Sequence, residues 1–196
     1  MAKDTKQRIL DEALVMFAQR GYEGTNMREL AQSLGLGKSA LYKHYASKDD
    51  IWNSMVDGIE ARYAENFGTD DNLPPVPDTC DELVKMSMSM IDFTIHDEQL
   101  ILVRKLLQME QFRNERARQL AAEHFLNRLE RVFAHVFQGM IEKGLIGNDD
   151  PDMLALAYTA PVSALIMQCD RCPESESKIM VRIQAFVDHF VEEHKV

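Results

Sequence analysis

Apolar side chains recur along this chain with the three- and four-residue spacing of amphipathic helices. The first such set shares one helix face and consists of Ile9, Leu10, Ala13, Leu14 and Phe17. It predicts a helix near 5–20, with Asp4 and Gln7 as a capping box at its start and Gly21 at its end. No stretch shows a convincing alternation of apolar and polar residues. The pattern therefore predicts an all-helical fold.

A short helix, a tight turn and another short helix follow. Asn26 and Glu29 can form a capping box for a helix near 27–34, which Gly35 ends. Only the tripeptide GLG separates it from a third helix near 38–44, the spacing of a helix-turn-helix. Four polar residues of this third helix fall within an arc of ~140°: Lys38, Ser39, Tyr42 and Lys43. The sequence therefore predicts a short helix with a basic outer face.

The remaining pattern predicts a larger helical body. A connecting helix is expected near 48–66, and the Gly-, Pro- and Asp-rich segment 68–78 is expected to be a loop. Further helices are predicted near 80–95, 97–109, 113–143, 151–168 and 173–194. We therefore divide the chain into an N-terminal helix-turn-helix domain, residues 1–46, and a helical ligand-binding and dimerisation domain, residues 47–196.

Charge is distributed unevenly along the 196 residues. The formal net charge is -10, yet residues 1–48 hold eight Lys or Arg and five Asp or Glu, a net charge of +3. We call this basic N-terminal segment the head and the acidic remainder of the chain the body. Their opposite charges indicate a nucleic-acid contact confined to the head. The N-terminal residues are not followed by the apolar segment of a signal peptide, and no apolar run reaches the ~18 residues of a membrane helix. These features predict a cytoplasmic protein without a membrane partner.

Several motifs within residues 5–56 resemble the DNA-binding head of the tetracycline repressor (TetR) family of bacterial transcription regulators. They are the amphipathic first helix, FAQRGYEGT, RELA, LYKHY and SKDD, with a weaker match in EQFRNE at 110–115. The resemblance implies a homodimer whose heads bind double-stranded operator DNA and whose bodies hold a small-molecule effector. It also implies a repressor, because effector binding in the family swings the fourth helix, separates the heads and releases a near-palindromic operator.

The resemblance assigns DNA contacts to individual positions of this chain. The predicted DNA-binding residues are Thr25, Asn26, Arg28, Lys38, Ser39, Ala40, Tyr42, Lys43, His44 and Lys48. Arg28 matches a position that reaches a base edge or a phosphate, and Lys48 one that binds phosphate at the start of the fourth helix. Gly37 stands where many members have Ser or Thr, and Ala40 where many have Thr. These two departures put the operator sequence in doubt, although the Ala40 methyl group could still contact a thymine methyl.

Two further sets of residues follow from the family layout. Met and aromatic residues of the body suit a largely apolar effector pocket, although they equally fill helical cores. The candidate lining is Tyr63, Met86, Met90, Phe93, Met109, Phe112, Phe125 and Tyr158.

The last two helices are expected to form the dimer as a four-helix bundle, consistent with the wide apolar stripe of the final helix. The candidate interface is Val162, Ile166, Ile183, Phe186, Val187 and Phe190.

Two alternative functions stay open at the level of sequence. Cys169 and Cys172 form a C-x-x-C motif that could sense redox state or bind metal, but ordinary turn residues are the better interpretation because no histidine lies nearby. The other alternative is a ligand-binding protein whose head no longer binds DNA, for which Gly37 and Ala40 are the only hints. No catalytic, cofactor-binding or metal-binding motif is recognisable. We therefore predict no enzymatic activity, no cofactor and no metal.

Overall fold

The computed structural model describes residues 4–69 and 72–196, and its regular structure is helical. The α-helices are α1 (Thr5–Arg20), α2 (Met27–Ser33), α3 (Lys38–His44), α4 (Lys48–Phe67), α5 (Cys80–His96), α6 (Glu98–Glu110), α7 (Glu115–Ala122), α8 (Arg128–Glu142), α9 (Pro151–Arg171) and α10 (Glu176–His194). A short 3-10 turn, Pro173–Ser175, precedes α10. Within the described ranges, extended pairing is limited to isolated bridges, so the all-helical prediction is confirmed.

The chain folds into two compact units. The first unit consists of Met1–Asn66 and Leu102–Gln119, and the second consists of Phe67–Ile101 and Leu120–Val196. Helix α6 begins in the second unit and ends in the first, and α7 begins in the first and ends in the second. The first unit is therefore assembled from two separate stretches of chain.

Local signals determine where the helices of the first unit begin and end. Asn26 caps α2, because its side-chain oxygen accepts hydrogen bonds from two N–H groups of the first turn, as predicted. Gly35, just after α2, has a φ of 66°, which favours glycine. The predicted capping box at the start of α1 is wrong, because Asp4 makes no capping hydrogen bond and Gln7 Nε2 instead donates to Asp11.

An aromatic cluster lies in the core of the first unit. The ring centroids of Phe17, Tyr22 and Trp52 are 5.2 to 5.9 Å apart, within the range of favourable aromatic contacts. Leu41 of α3 is fully buried, whereas its neighbour Tyr42 is exposed. Helix α3 is thus anchored by an apolar residue and presents its polar face to solvent, which confirms the predicted orientation.

The second unit has a continuous apolar core formed by α5, α8, α9 and α10. Tyr158 contacts four phenylalanine rings at centroid distances of 4.7 to 6.1 Å: Phe133, Phe137, Phe186 and Phe190. The loop before α5 packs on α8, where a Cβ added at Gly139 would lie 2.5 Å from Val76 Cγ2. Lys143 holds the same loop, because its Nζ donates to two backbone carbonyls and to Asp78.

Helix α9 corrects one expectation from the sequence. By length and composition it could cross a membrane, and it is the one helix of the described residues that passes this test. The prediction that no segment is long and apolar enough is therefore wrong for Pro151–Arg171. The core helix of a soluble protein passes the same test, and α9 contributes Leu154, Tyr158 and Val162 to the core of the second unit.

The long helix predicted over 113–143 is interrupted. Helix α7 begins at Glu115, and a π-helical turn, Glu123–Asn127, separates α7 from α8. His124 of this turn is buried, and burial lowers its pKa to about 4, so its ring is neutral at physiological pH. Turns of this kind occur frequently at functional sites, and no pattern in the sequence indicated one here.

Candidate nucleic-acid interface

Helix α2, the turn after it and α3 form the predicted helix-turn-helix. Gly35 N–H donates to Gln32 O and Leu36 N–H donates to Ala31 O, so the chain leaves α2 through a hydrogen-bonded reversal. Gly37 then caps α3 with an extended backbone but supplies no side-chain hydrogen bond. The reversal is short, and it brings the first residues of α3 close to those of α2.

An open depression of roughly 350 Å³ lies on the head, where the N-terminal ends of α2, α3 and α4 meet. Its lining is Thr25, Asn26, Met27, Arg28, Lys38, Tyr42 and Lys48. Six of these seven residues are predicted DNA contacts, and Met27 is the exception. Three of them are cations at neutral pH and none is an acid, which is the chemistry of a surface that binds phosphate.

The predicted contacts of α3 differ in exposure. Lys38, Ser39 and Lys43 are exposed, whereas Ala40 and His44 are half-buried. The Tyr42 ring is 42% exposed, and Lys38 Nζ lies 5.6 Å from its centroid. Arg28 of α2 is exposed as well. Long cationic side chains on such a face can reach both phosphates and base edges.

Besides Asn26, which caps α2, the predicted contacts Lys48 and Thr25 are engaged within the head itself. Lys48 Nζ donates to the carbonyl oxygens of Tyr22 and Thr25 at 2.8 and 3.1 Å, and it lies 4.1 Å from the Tyr22 ring centroid. Thr25 is buried, and its hydroxyl donates to Gly21 O at 3.2 Å. Both side chains therefore hold the turn between α1 and α2, and any contact with DNA would be additional to that role.

Tyr22 is a central residue of this site that the sequence analysis did not single out. Its phenol donates to the carboxylate of Asp49, and burial together with that hydrogen bond raises the pKa of Tyr22. Its carbonyl accepts from Lys48, and its ring contacts Phe17 and Trp52. Tyr22 lies within the motif FAQRGYEGT, but spacing along the chain does not show which elements a turn residue contacts.

The candidate effector residues are divided between the two units. Of those in the first unit, Tyr63 is buried, whereas Met109 and Phe112 are 42% and 88% exposed. In the second unit Tyr158 is buried among phenylalanine rings. The other four are half-buried: Met86, Met90, Phe93 and Phe125. The effector pocket and its lining stay a prediction.

The candidate dimer residues lie mainly in the core of the second unit. Ile183 and Val187 have no exposed surface, Phe186 is half-buried, and Val162, Ile166 and Phe190 are each 7% exposed. A side chain without exposed surface cannot contact a partner unless the core opens. Other apolar or small residues of the same two helices are exposed: Met153, Leu156, Ala157, Ala160, Ala164, Val181 and Ala185.

The three cysteines are not joined in disulfides. Cys169 is buried and Cys172 is half-buried. Burial raises the pKa of Cys80, which makes its thiolate scarcer and the residue less reactive. Among the residues that the structure describes, no three His, Cys, Asp or Glu side chains form a group that could hold a metal ion. The C-x-x-C motif therefore gains no structural support as a redox or metal site.

Comparison with known proteins identifies the head. Residues 9–55 match the model of a family described as bacterial regulatory proteins, tetR family. The DNA-binding head of this chain is therefore of the TetR-family type. The resemblance found in the sequence is thereby confirmed.

Two curated relatives of this chain are negative transcriptional regulators of the biofilm operon icaADBC. IcaR of Staphylococcus epidermidis is 24% identical over 122 residues, which cover 47% of this chain and 66% of the relative. IcaR of Staphylococcus aureus is 37% identical over 51 residues, which cover 26% of this chain and 27% of the relative. The chain thus spans less than two thirds of the length of either relative.

Solved structures share the fold along nearly the whole chain. One is SmeT, the repressor of the Stenotrophomonas maltophilia multidrug efflux pump SmeDEF, with a TM-score of 0.69 and 18% sequence identity. The alignment covers 99% of this chain and 92% of SmeT. At 18% sequence identity, this structural similarity shows that the two chains share a fold.

Proposed function

We propose that this TetR-family chain is a cytoplasmic repressor that binds a near-palindromic DNA operator as a homodimer and is released by a largely apolar small molecule. The observation that carries the proposal is the depression on the head. Six predicted contact residues, from the turn before α2 and from α2, α3 and α4, line it together, with three cations and no acid. The depression lies in a helix-turn-helix, within a segment of net charge +3, and both features are typical of a surface that binds nucleic acid.

Two kinds of DNA contact follow from the exposed side chains. Lys38 and Lys43 would lie in the major groove with α3, where they can reach base edges or flanking phosphates. Tyr42 and Arg28 would contact phosphates at the margin of the groove and so set the register of the head. The methyl group of Ala40 would face a thymine methyl rather than a phosphate.

A genomic pull-down tests DNA binding. Sheared DNA from the source organism is captured on the purified protein and sequenced, beside a Lys38→Ala/Lys43→Ala variant. We expect a few fragments that share an inverted repeat, absent with the variant. On one such fragment, the variant should lower the slope of log affinity against log salt by about 1–2, because each phosphate contact contributes ~0.9.

A Lys85→Ala/Lys105→Ala variant is the matched control, because it removes the same charge from exposed positions outside the depression. This control variant should still capture the genomic fragments that the wild-type protein enriches. Equal enrichment by all three proteins would contradict specific binding through α3. So would the absence of enriched fragments after the wild-type protein has been unfolded and refolded to remove bound ligand.

For the dimer, the proposed partner surface is the exposed side of α9 and α10. Met153, Leu156 and Val181 are 58%, 43% and 70% exposed, which is unusual for large apolar side chains. Ala160→Glu, on the exposed side of α9, should therefore give monomers by light scattering. Ser89→Glu, on the exposed face of α5, is the control and should leave a dimer. An Ala160→Glu dimer would exclude this interface.

The proposed effector site lies in the body and is supported by the half-buried methionines of α5. Methionine adapts its shape to varied apolar ligands. Organic extracts of the source organism should contain a fraction that dissociates the wild-type protein from its operator. Met90→Gln should weaken that response, and Met88→Gln, on another side of α5, should not. An equal response in both variants would exclude Met90 from the lining.

A further inference from the structure

We propose that Glu110, the last residue of α6, positions the DNA-facing turn of the head. Its side chain is almost completely buried, and its Oε1 accepts a hydrogen bond from Tyr22 N–H at 2.9 Å. The two residues are 88 positions apart, so the bond ties the turn between α1 and α2 to a much later helix. The inference rests on the proposed DNA-binding function and adds to it a residue outside the depression.

The backbone of the turn is shaped to receive this carboxylate. Gly21 has φ 76° and ψ 166°, a conformation that is essentially restricted to glycine. A Cβ at Gly21 would lie 3.0 Å from Glu110 Oε1. The missing side chain therefore leaves the space through which the carboxylate reaches Tyr22 N–H.

The position of Tyr22 determines the position of residues that line the depression. The Tyr22 carbonyl accepts from Lys48, which also donates to the carbonyl of Thr25. The Thr25 hydroxyl in turn donates to Gly21 O. Because Thr25 and Lys48 both line the depression, a displacement of the turn would change the surface offered to DNA.

A second contact connects the same stretch of chain to α4. The Arg116 guanidinium donates to Asn53 Oδ1 and to Asp57 Oδ1, each at 2.7 Å. Between the two contacts, Asn114 N–H donates to Glu110 O at 2.9 Å and closes the turn from α6 to α7. The end of α6 and the start of α7 thus hold both the α1–α2 turn and α4.

This geometry adds a route to the one that the family resemblance assigns to the fourth helix. Helix α6 is continuous from Glu98, in the second unit, to Glu110, in the first. A displacement of the last turn of α6 would therefore act on Tyr22 through Glu110 as well as on α4 through Arg116. Glu110 is a positioning residue in this scheme: it acts on DNA affinity through the turn and does not contact DNA.

Two conservative variants of Glu110 separate the effect of its side-chain length from the effect of its charge. Glu110→Gln keeps an oxygen acceptor at the same distance and loses the charge, whereas Glu110→Asp keeps the charge and withdraws the acceptor by ~1.5 Å. Hydrogen exchange of the segment 21–25 and operator affinity are measured on the full chain. We expect Glu110→Asp to raise amide exchange of this segment about tenfold and to weaken operator binding about five- to twentyfold, with Glu110→Gln within about threefold of wild type.

Glu98→Asp is the control, because Glu98 is exposed at the opposite end of the same helix. It should change neither quantity. Wild-type exchange and affinity in Glu110→Asp would overturn the proposal, and so would a Glu110→Gln variant as impaired as Glu110→Asp. Should Glu110→Asp fail to fold, Gly21→Ala is measured in the same way, since its Cβ would crowd the carboxylate.

The two readouts also separate this proposal from the proposed function. Hydrogen exchange is measured without DNA, so faster exchange in Glu110→Asp alone would support the positioning role even if the wild-type chain bound no operator. Failure of the DNA-binding function would appear independently, as a wild-type protein that enriches no genomic fragment. Unchanged exchange in both Glu110→Asp and Gly21→Ala would overturn the positioning role whatever the result with DNA.

Discussion

Replacing Lys48 by Met would remove an ammonium group that holds the α1–α2 turn while keeping a side chain of similar length. Hydrogen bonds that involve a charge contribute ~1.5–3 kcal/mol, and a cation–π contact ~0.5–1 kcal/mol. Lys48 makes two such bonds and lies over the Tyr22 ring, but its side chain is 22% exposed. Allowing for rehydration of the two carbonyls, the free energy of unfolding should fall by about 2–3 kcal/mol. The ion pair with the exposed Glu23, at 3.9 Å, adds little.

The chain carries its own reporter for this change. Trp52 is its single tryptophan, it is 4% exposed, and its ring centroid lies 5.2 Å from that of Tyr22. Its fluorescence therefore reports unfolding of the head during a urea titration. With a slope of ~1–3 kcal/mol per molar urea, the Lys48→Met midpoint should fall by about 1 M or more.

Lys43→Met is the matched control, because it removes the same charge from an exposed position of α3. Its urea midpoint should stay within about 0.3 M of wild type, since exposed surface substitutions rarely exceed ~0.5 kcal/mol. A Lys48→Met protein as stable as this control would refute the reasoning. It would mean that the two carbonyl contacts contribute nothing and that Lys48 is available to DNA.

Two further predictions concern the second unit. His96 Nε2–H donates to the Glu176 carboxylate, and Nδ1 pairs with Asp92. These partners raise the pKa of His96 above 6.5, so the stability that it contributes is present below pH 6.5 and is lost as pH rises through the raised pKa. The thermal midpoint of wild type should exceed that of His96→Gln at pH 5.5 and approach it at pH 9, and a constant difference would contradict this. Gly139→Ala should destabilise by ~1–3 kcal/mol through overpacking against Val76, although Ala normally favours helices. Val76→Ala in the same chain should recover part of that loss in thermal melts, and simple additivity would refute the contact.

The helices of the head could be predicted because their signals are local. Gly21 and Gly35 end helices through their own backbone conformations, and Asn26 caps α2 through N–H groups two and three residues away. Helical periodicity likewise placed Leu41 beneath α3 and Lys38 on its outer face. Each of these interactions lies within one turn of chain, where spacing in sequence determines spacing in the fold.

Partners that are distant in sequence could not be predicted in this way. The bond between Glu110 and Tyr22 depends on how α6 packs, and nothing in either segment alone indicates it. The wide apolar stripe of α10 poses the same difficulty, since Phe186 is half-buried and Ile183 is fully buried. Periodicity identifies such a stripe, but only the neighbouring helices decide which part of it meets the core and which part meets solvent.

The assembly of the first unit from two stretches of chain limits how this protein can be recombined with proteins of the same fold. Residues 1–66 resemble a detachable module, yet Glu110 and Arg116, which hold the α1–α2 turn and α4, come from the stretch 102–119. In a chimera that exchanges the N-terminal segment alone, the new segment would meet Glu110 and Arg116 of a different protein rather than its own contact residues. Preserving the native contacts requires that both stretches be exchanged together, so the transferable part of the protein is discontinuous in its gene.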